Sequence, residues 1–410
     1  MSGNAAATLG GGWARDLSGA HAWILRRLAG RLACGALTLV MPDGARLTVR
    51  APAPGPEGVL ALHRWRMLRR LLLDGQNGFA DSYLDGDWSS PDVAALLELA
   101  ARNAAVLGGL LDSAWPRRLL NRMLHRRRAN TRDGSRRNIA QHYDLGNAFY
   151  ALWLDAGMTY SSGLYQTPAM RLEDAQAAKQ ARVLELLDLA PGRSVLEIGF
   201  GWGGLAALIA AEGCQLTGLT LSPAQHAYAQ DRLNAAGLPA DLRLQDYRDA
   251  AGQFDRIVSI EMLEAVGAEF WPVYFAALRA RLAPGGVAVL QTISIADERF
   301  EHYRANPDFI QRHIFPGGML PSADMIRREL ARAGLVLRHR ENFGLSYACT
   351  LRAWHERFDA AWPQIAALGL PAALPAIVEI LSQLLRGRFR AGFIDVGLWQ
   401  LGHAAGGEPP

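Results

Sequence analysis

Residues 194–204 read SVLEIGFGWGG, and this stretch decides the class of fold. Its first five residues are apolar apart from Ser194 and Glu197, which is typical of a buried strand, and glycines follow at 199, 201, 203 and 204. Glycine permits a tight turn and lets a ligand approach the backbone closely. The next segment, GLAALIAAEG, has the composition of a helix, so a strand, a glycine turn and a helix are predicted in direct succession.

The same alternation of strand and helix continues toward the C-terminus. Apolar segments CQLTGLTL (214–221), ADLRLQDY (240–247), FDRIVSIEM (254–262) and VAVLQTISI (287–295) predict four more strands. Helical patterns occur between them in SPAQHAYAQDRLNAAG and VYFAALRARLAPGG. Strands that alternate with helices predict an α/β fold with a Rossmann-like, doubly wound, mostly parallel sheet.

Residues 1–112 predict a smaller α+β domain of different character. ALTLVMPDGARLTVRAP (36–52) alternates in polarity around Pro42-Asp43-Gly44 and predicts a hairpin. Two helical patterns follow, WRMLRRLLLDG and a longer one that begins near Ser90, with Ser90 or Asp92 placed to cap it. We therefore expect an N-terminal lipid- or membrane-associated domain at 1–112, an arginine-rich linker at 113–137 and a catalytic domain at 138–410.

The arginine-rich linker carries most of the asymmetry in charge. Nine arginines lie between Trp115 and Arg137 against one acid, Asp133, although the net charge of the chain is only +4. Such a cluster can bind the phosphates of anionic lipids or of nucleic acid, or it can be a solvated linker. Single-stranded nucleic acid also needs aromatic rings to stack on, and Trp115 is the only Phe, Tyr or Trp in this stretch, so a nucleic-acid partner is disfavoured.

Composition narrows the cellular setting. No window approaches the roughly 20 apolar residues of a membrane span, and the start lacks the basic and apolar regions of a secretory leader. The three cysteines, Cys34, Cys214 and Cys349, have the spacing neither of a disulfide framework nor of a metal site. These features predict a cytoplasmic protein without a metal.

The acids near the strand ends separate two classes of nucleotide-binding enzyme. A dehydrogenase needs an acid at the end of the second strand to hold a ribose, but that strand ends Leu219-Thr220-Leu221-Ser222. The third strand ends with Asp246, whose carboxylate is placed to meet an adenine amine. Together with Glu197 before the glycine turn, this favours a methyltransferase, and a glycine turn without a ligand remains the alternative.

Further segments in fixed order make the resemblance to one family specific. They are NIAQHYDLGN (138–147), MTYSSGLY (158–165), EIGFGWGGLA (197–206), GLTLSPAQ (218–225), DFIQRHIFPGGMLPS (308–322) and FGLSYACTLRAW (343–354). Over roughly 138–400 the chain resembles the cyclopropane-fatty-acyl-phospholipid synthases and their mycolic acid relatives, which implies a class I methyltransferase domain.

The resemblance also implies a reaction and a location. The donor would be S-adenosylmethionine, the acceptor the double bond of an unsaturated phospholipid acyl chain, and the product a cyclopropane ring. A methyl- or methylene-branched chain, such as a precursor of furan lipids, and a non-catalytic lipid-binding homologue stay open as alternatives. The protein would act at the inner face of the cell membrane through transient contact by its basic residues, and a homodimer stays open as well.

Site residues follow from the resemblance position by position. The cofactor set comprises Tyr160, Ser161, Glu197, Gly199, Gly201, Gly203, Thr220, Ser222, Gln225, Asp246, Tyr247 and Ile260. In the family a bound bicarbonate is the general base, and its ligands would be Ser162, Glu264, Gln291, Ile293 and Tyr347. Aromatic faces could stabilise a cation on the acyl chain; the candidates are Tyr143, Phe149, Tyr150, Trp153 and Tyr347.

Four positions depart from the family's usual residues. Ser162 replaces a cysteine, Gln291 and Ala265 each replace a histidine, and Leu385 replaces another cysteine. Serine and glutamine can hydrogen-bond an anion, but neither titrates near neutral pH. We therefore expect an intact cofactor half and an altered proton-abstracting half of the site.

Overall fold

The computed structural model describes residues 30–107, 145–315, 317–371 and 374–404. The arginine-rich linker at 113–137 and the candidate Tyr143 lie outside these described residues. The chain divides into two compact units. The first comprises Met1–Leu124, Ala305–Phe309 and Pro371–Phe393, and the second comprises His125–Arg304, Ile310–Leu370 and Ile394–Pro410.

The first unit contains a four-stranded sheet. Its strands are β1 (Cys34–Val40), β2 (Arg46–Arg50), β3 (Ala53–Leu62) and β4 (Trp88–Ser89), in the order β2-β1-β3-β4. Strands β1 and β2 pair antiparallel with Thr38 opposite Thr48, which confirms the predicted hairpin. Strand β3 joins β1 in parallel, a pairing that the local sequence pattern did not indicate.

Four described helices complete this unit: Arg66–Leu84, Val93–Arg102, Ala104–Leu107 and Leu374–Arg390. Of the two predicted caps, Asp92 is the N-cap of the helix Val93–Arg102, and its side chain accepts a hydrogen bond from the backbone N of Ala95 at 2.9 Å.

The last of these helices comes from the C-terminal part of the chain. A Cβ on Gly387 would lie 2.9 Å from the backbone N of Glu98, so glycine lets this helix approach the helix Val93–Arg102 closely. Arg390 Nε lies 2.9 Å from Glu98 Oε2. The segment Pro371–Phe393, placed by the sequence analysis within 138–410, thus belongs to the first unit. Its amphipathic pattern fixes a helix but not the surface against which that helix packs.

The second unit is built on a seven-stranded sheet. Its strands are β5 (Ser194–Ile198), β6 (Gln215–Thr220), β7 (Asp241–Leu244), β8 (Phe254–Ile260), β9 (Leu282–Ile295), β10 (Leu335–Asn342) and β11 (Ile394–His403). The order is β10-β11-β9-β8-β5-β6-β7. Strands β5 to β9 pair in parallel, and β10 and β11 add an antiparallel edge. The predicted doubly wound, mostly parallel α/β fold is confirmed.

The topology determines where a ligand can bind. From β5 the chain runs outward through β6 and β7, then returns to β8 on the other side of β5. Ligands of such sheets bind beyond the carboxyl ends of the strands, where the order reverses. Val195 in β5, Val258 in β8 and Val289 in β9 are fully buried and belong to one hydrophobic core.

Helices flank this sheet, and their bounds follow the predicted patterns around β5 to β9. The described helices are Asn147–Ala151, Leu172–Leu187, Gly204–Ala211, Pro223–Ala235, Leu263–Val266, Trp271–Arg281, Asp297–Ala305, Phe309–His313, Ala323–Ala333, Gly344–Ala360 and Trp362–Ala367. Among all the residues that the structure describes, no helix is both long and apolar enough to cross a membrane.

Candidate active site

The glycine turn follows β5 and has the backbone conformation that only glycine adopts easily. Gly199, Gly201 and Gly203 have φ values of 83°, 54° and 79°. A Cβ on Gly199 would lie 2.5 Å from Sδ of Met262, whereas one on Gly201 would meet no atom within 4 Å. The backbone at Gly201 is therefore uncovered by protein and can be approached by a ligand.

The polar residues predicted after β6 lie together. Ser222 caps the helix Pro223–Ala235, and its Oγ accepts a hydrogen bond from the Gln225 backbone N at 3.3 Å. The Thr220 hydroxyl lies 3.2 Å from Gln225 Oε1 and accepts from the Ser222 backbone N at 3.2 Å. All three residues are buried. They form a buried polar group beside the glycine turn, because β6 neighbours β5.

Asp246 lies after β7, at the same edge of the sheet. Its buried carboxylate pairs with Arg248 at 2.6 Å. The Arg248 guanidinium also lies over the rings of Tyr247 and Phe270, at 5.6 and 5.8 Å from their centroids. Burial raises the pKa of Tyr247 to about 12, so this phenol stays neutral. The side chain of Asp246 is thus held in one orientation by an arginine that the sequence analysis did not consider.

Lys179 is a buried cation that the sequence analysis missed. It projects from the helix Leu172–Leu187, and its Nζ lies 2.9 Å from Ser161 Oγ. Burial lowers the pKa of Lys179 to about 8, while Glu261, Asp155 and Glu197 oppose that shift by their charges. Burial raises the pKa of Glu197 to about 8, and its Oε2 has no hydrogen-bond partner among the described residues. Lys179 therefore supplies positive charge within a cluster of acids at the predicted site.

Aromatic rings form a continuous cluster from the glycine turn toward Tyr347. Tyr150 lies 4.9 Å from Trp202 and 5.6 Å from Tyr160, measured between ring centroids. Tyr160 stacks on Trp354 at 5.3 Å, and Trp354 meets Tyr347 at 6.2 Å. Among the predicted aromatics, Phe149 and Trp153 also pack in this cluster, 5.7 Å apart. Trp202 and Trp354 were not predicted, since tryptophan spacing alone does not reveal a shared wall.

Glu261 is a further residue that the sequence analysis missed. It follows β8 directly, and three donors converge on its carboxylate. The backbone N of Ser162 and Nε2 of Gln291 donate to Oε1 at 2.9 and 2.7 Å, and the Tyr347 hydroxyl donates to Oε2 at 2.7 Å. An acid immediately after a buried apolar strand was the available signal. The resemblance directed attention to Glu264 instead.

Glu264 lies three residues further on, in the short helix Leu263–Val266. Its Oε1 accepts a hydrogen bond from the backbone N of Ile293 in β9. Its Oε2 is buried and has no hydrogen-bond partner among the described residues. The five predicted anion ligands thus come together, but two carboxylates of the chain itself take up their donors. Ile260, the last residue of β8, pairs with Gln291 of β9.

The two glutamates influence each other's protonation. Burial, and then the charge of Glu261, raise the pKa of Glu264 to about 8. Burial also raises the pKa of Glu261, but the Ser162 N–H, the Tyr347 hydroxyl, the charge of Lys179 and the Gln291 amide all oppose that shift. Two close carboxylates rarely ionise together. Burial and the charge of Glu261 therefore favour the protonated form of Glu264 near neutral pH, whereas the three donors and Lys179 favour the charged form of Glu261.

The geometry around β5 and β6 fits S-adenosylmethionine. The uncovered backbone at Gly201, the buried polar group of Thr220, Ser222 and Gln225, and the fixed carboxylate of Asp246 all lie at the carboxyl edge of the parallel strands. The fold and this site define a class I methyltransferase that depends on S-adenosylmethionine.

Comparison with known proteins identifies the family of the chain. The mycolic acid cyclopropane synthetase family matches residues 130–399. The chain belongs to this family, which includes the cyclopropane-fatty-acyl-phospholipid synthases.

Two characterised relatives cover most of the chain. It is 38% identical to the tuberculostearic acid methyltransferase of Mycobacterium tuberculosis, over 94% of this chain and 92% of that protein. It is 36% identical to the cyclopropane-fatty-acyl-phospholipid synthase of Escherichia coli, over 83% of this chain and 86% of that protein.

A solved structure agrees with both relatives. The cyclopropane synthase structure from M. tuberculosis is 31% identical and superposes with a TM-score of 0.59, over 65% of this chain and 97% of that one. The chain is therefore an enzyme that modifies lipids with S-adenosylmethionine.

Proposed function

We propose that this enzyme transfers a one-carbon unit from S-adenosylmethionine to the double bond of an unsaturated phospholipid acyl chain. The observation that carries the proposal is a carboxylate, Glu261, set beside a wall of aromatic rings at the carboxyl edge of the sheet. A methyltransferase acting on an amine or a hydroxyl needs at most one base. Alkylation of an alkene also needs surroundings that tolerate a carbocation and exclude water.

Each part of the site has a defined task in this reaction. S-adenosylmethionine supplies an electrophilic methyl group, and the residues of the glycine turn with Thr220, Ser222, Gln225 and Asp246 would hold it. Methylation of an alkene leaves a positive charge on the acyl chain. The faces of Tyr160, Trp354 and Tyr347 would stabilise that charge, because aromatic faces are electron-rich. Their bulk would also keep out water that could trap the cation.

Cyclopropane is the first candidate product, and a methyl- or methylene-branched chain is the second. Direct loss of a proton from the newly attached carbon closes a ring. If a hydride shift first moves the cation, loss of a proton from that carbon gives a methylene branch, and loss from the chain gives a methyl-branched alkene. Likeness to a cyclopropane synthase favours the ring, and likeness to a tuberculostearic acid methyltransferase over nearly the whole chain favours the branch. The position of the base relative to the chain would decide between them.

Peripheral membrane binding completes the proposal. The acyl substrate lies in a bilayer, so the enzyme must reach it from the surface. The nine arginines between Trp115 and Arg137 provide the basic segment for contact with anionic headgroups at the inner face of the membrane. Each basic group near such a surface contributes about 1 kcal/mol.

Mass spectrometry of lipids tests the function directly. Cells that express the gene should contain unsaturated phospholipid chains gaining one CH₂ unit, and cells that express the Glu261→Gln variant should not. Hydrogenation of the product under mild conditions then distinguishes the two: a methylene branch takes up hydrogen, and a ring does not. Unchanged lipids in cells that contain folded enzyme able to bind S-adenosylmethionine would reject the proposal and favour the non-catalytic homologue.

A further inference from the structure

Three hydrogen-bond donors meet at one carboxylate beside the predicted reaction centre. The donors are the Ser162 backbone N, the Gln291 amide and the Tyr347 hydroxyl, at 2.9, 2.7 and 2.7 Å from the oxygens of Glu261. An ionised carboxylate only accepts hydrogen bonds, and several donors stabilise its charged form. The three donors therefore form an anion site, and the carboxylate of Glu261 occupies it.

The same donors are the ones that the family resemblance assigns to a bound bicarbonate. Ser162, Gln291 and Tyr347 all engage Glu261, and the remaining backbone donor, Ile293 N, engages Glu264. A bicarbonate ion could use these donors only if it displaced both carboxylates. Because these donors already bind the two carboxylates, the site does not fit a separate bicarbonate ion.

We propose that the carboxylate of Glu261, rather than a bound bicarbonate, is the base that accepts the proton from the alkylated acyl chain. The inference rests on the proposed function. It also explains the departures at Ser162 and Gln291. A base tethered to the chain needs only neutral donors around it, namely a backbone N–H and an amide.

The backbone of Glu261 supports a role that demands this position. Its φ is 51°, in the left-handed region that residues with side chains rarely adopt. Its N–H donates to the Gln291 carbonyl at 2.7 Å, which holds the residue against β9. Such strain is unfavourable and persists only where the surroundings enforce it. This conformation turns the carboxylate toward Ser162 and Tyr347 immediately after β8.

The proton-transfer step balances without a further reactant. A C–H bond of the cationic chain breaks, and its proton forms an O–H bond with Glu261. The electron pair of that C–H bond forms the last C–C bond of a cyclopropane, or the double bond of a methylene branch, and neutralises the chain. Glu261 then releases the proton to solvent before the next turnover.

Removal of bicarbonate tests the inference in the wild-type enzyme. Turnover with S-adenosylmethionine and vesicles of an unsaturated phospholipid should be unchanged in buffer freed of carbon dioxide. Loss of turnover in that buffer, restored by added bicarbonate, would overturn the inference and leave the proposed function standing. Absence of any alkylated lipid from wild-type enzyme would overturn both.

Two substitutions make the test specific. Glu261→Gln fills the same space without a proton-accepting charge and should lower turnover by about 100-fold or more, with or without bicarbonate. Glu261→Gly suits the left-handed backbone and empties the anion site. It should lower turnover similarly in bicarbonate-free buffer and recover about 10-fold or more when bicarbonate is added. Wild-type turnover in Glu261→Gln would overturn the inference.

Calorimetry provides a readout that needs neither lipid nor S-adenosylmethionine. Bicarbonate should bind to Glu261→Gly and not to the wild type. Binding to the wild type, or none to either protein, would overturn the claim that Glu261 fills the place of the anion. Glu269→Gln is the matched control, because it makes the same kind of change at an exposed acid on the 3₁₀ turn Ala268–Phe270, and it should behave as wild type.

Discussion

The hydroxyl of Tyr347 donates a hydrogen bond of 2.7 Å to Oε2 of Glu261, across 86 residues of sequence. One partner begins a loop after β8 and the other lies in the helix Gly344–Ala360. Since burial raises the pKa of Glu261 and this hydrogen bond opposes the rise, the tyrosine favours the ionised form of the carboxylate.

Removal of that hydroxyl should therefore move the pH profile of turnover. Tyr347→Phe should raise the pKa of Glu261. When the pH is lowered, turnover of this variant should therefore decline at a higher pH than turnover of the wild type. A hydrogen bond to a charged group contributes about 1.5–3 kcal/mol, which corresponds to about one to two pH units. Tyr228→Phe, on the helix Pro223–Ala235, is the control and should leave the profile in place. An unchanged pH profile of turnover in Tyr347→Phe would show that Tyr347 does not influence the base.

Gly201 tests the cofactor half of the site. Alanine at this position meets no protein atom within 4 Å but projects where the ligand would contact the backbone. Gly201→Ala should abolish binding of S-adenosylmethionine in calorimetry. Gly237→Ala is a matched control, because Gly237 has a similar φ of 66° and equal space around it. Loss of binding in both variants would indicate backbone strain, and normal binding in Gly201→Ala would remove the glycine turn from the site.

Glu264 should make the stability of the protein depend on pH. Its pKa is about 8 in the folded protein against an ordinary 4.5, so the folded state binds the extra proton between these values. Stability contributed by neutral Glu264 is thus present at low pH and lost as pH rises toward 8. Glu264→Gln removes this loss and should raise the free energy of unfolding by about 1–3 kcal/mol at alkaline pH.

Denaturant unfolding at several pH values measures this effect. The gain of Glu264→Gln over wild type should shrink toward zero below pH 4.5, where the carboxyl is protonated in both states. Glu269→Gln should show no such trend, because Glu269 is exposed. A gain from Glu264→Gln that is equal at all pH values would contradict the raised pKa.

The basic segment can be tested by flotation with vesicles. Replacing Arg126, Arg127 and Arg128 by glutamate should weaken binding to anionic vesicles, and raised salt should weaken binding of the wild type in the same way. The control is the same reversal at the exposed Arg327, Arg328 and Arg332 of the helix Ala323–Ala333. Equal binding of the wild type to neutral and anionic vesicles would exclude electrostatic docking.

The sequence by itself determined the α/β class, the glycine turn and the five parallel strands. These features follow from local periodicity and from the backbone freedom of glycine, which act over a few residues. Resemblance to a family then selected most of the site positions, including Ser162, Gln291 and Tyr347. Features confined to one strand or one turn were therefore predictable, because local sequence determines them.

Only the tertiary structure decided how the site is occupied. Glu261 and Lys179 were missed because their roles arise from partners far along the chain: Tyr347 and Gln291 for the first, Ser161 for the second. The antiparallel strands β10 and β11, and the return of Pro371–Phe393 to the first unit, depend in the same way on distant surfaces. Hydrogen bonding and burial depend on neighbours in three dimensions. The donors could therefore be predicted from the sequence, whereas the carboxylate that they bind is determined by the tertiary structure.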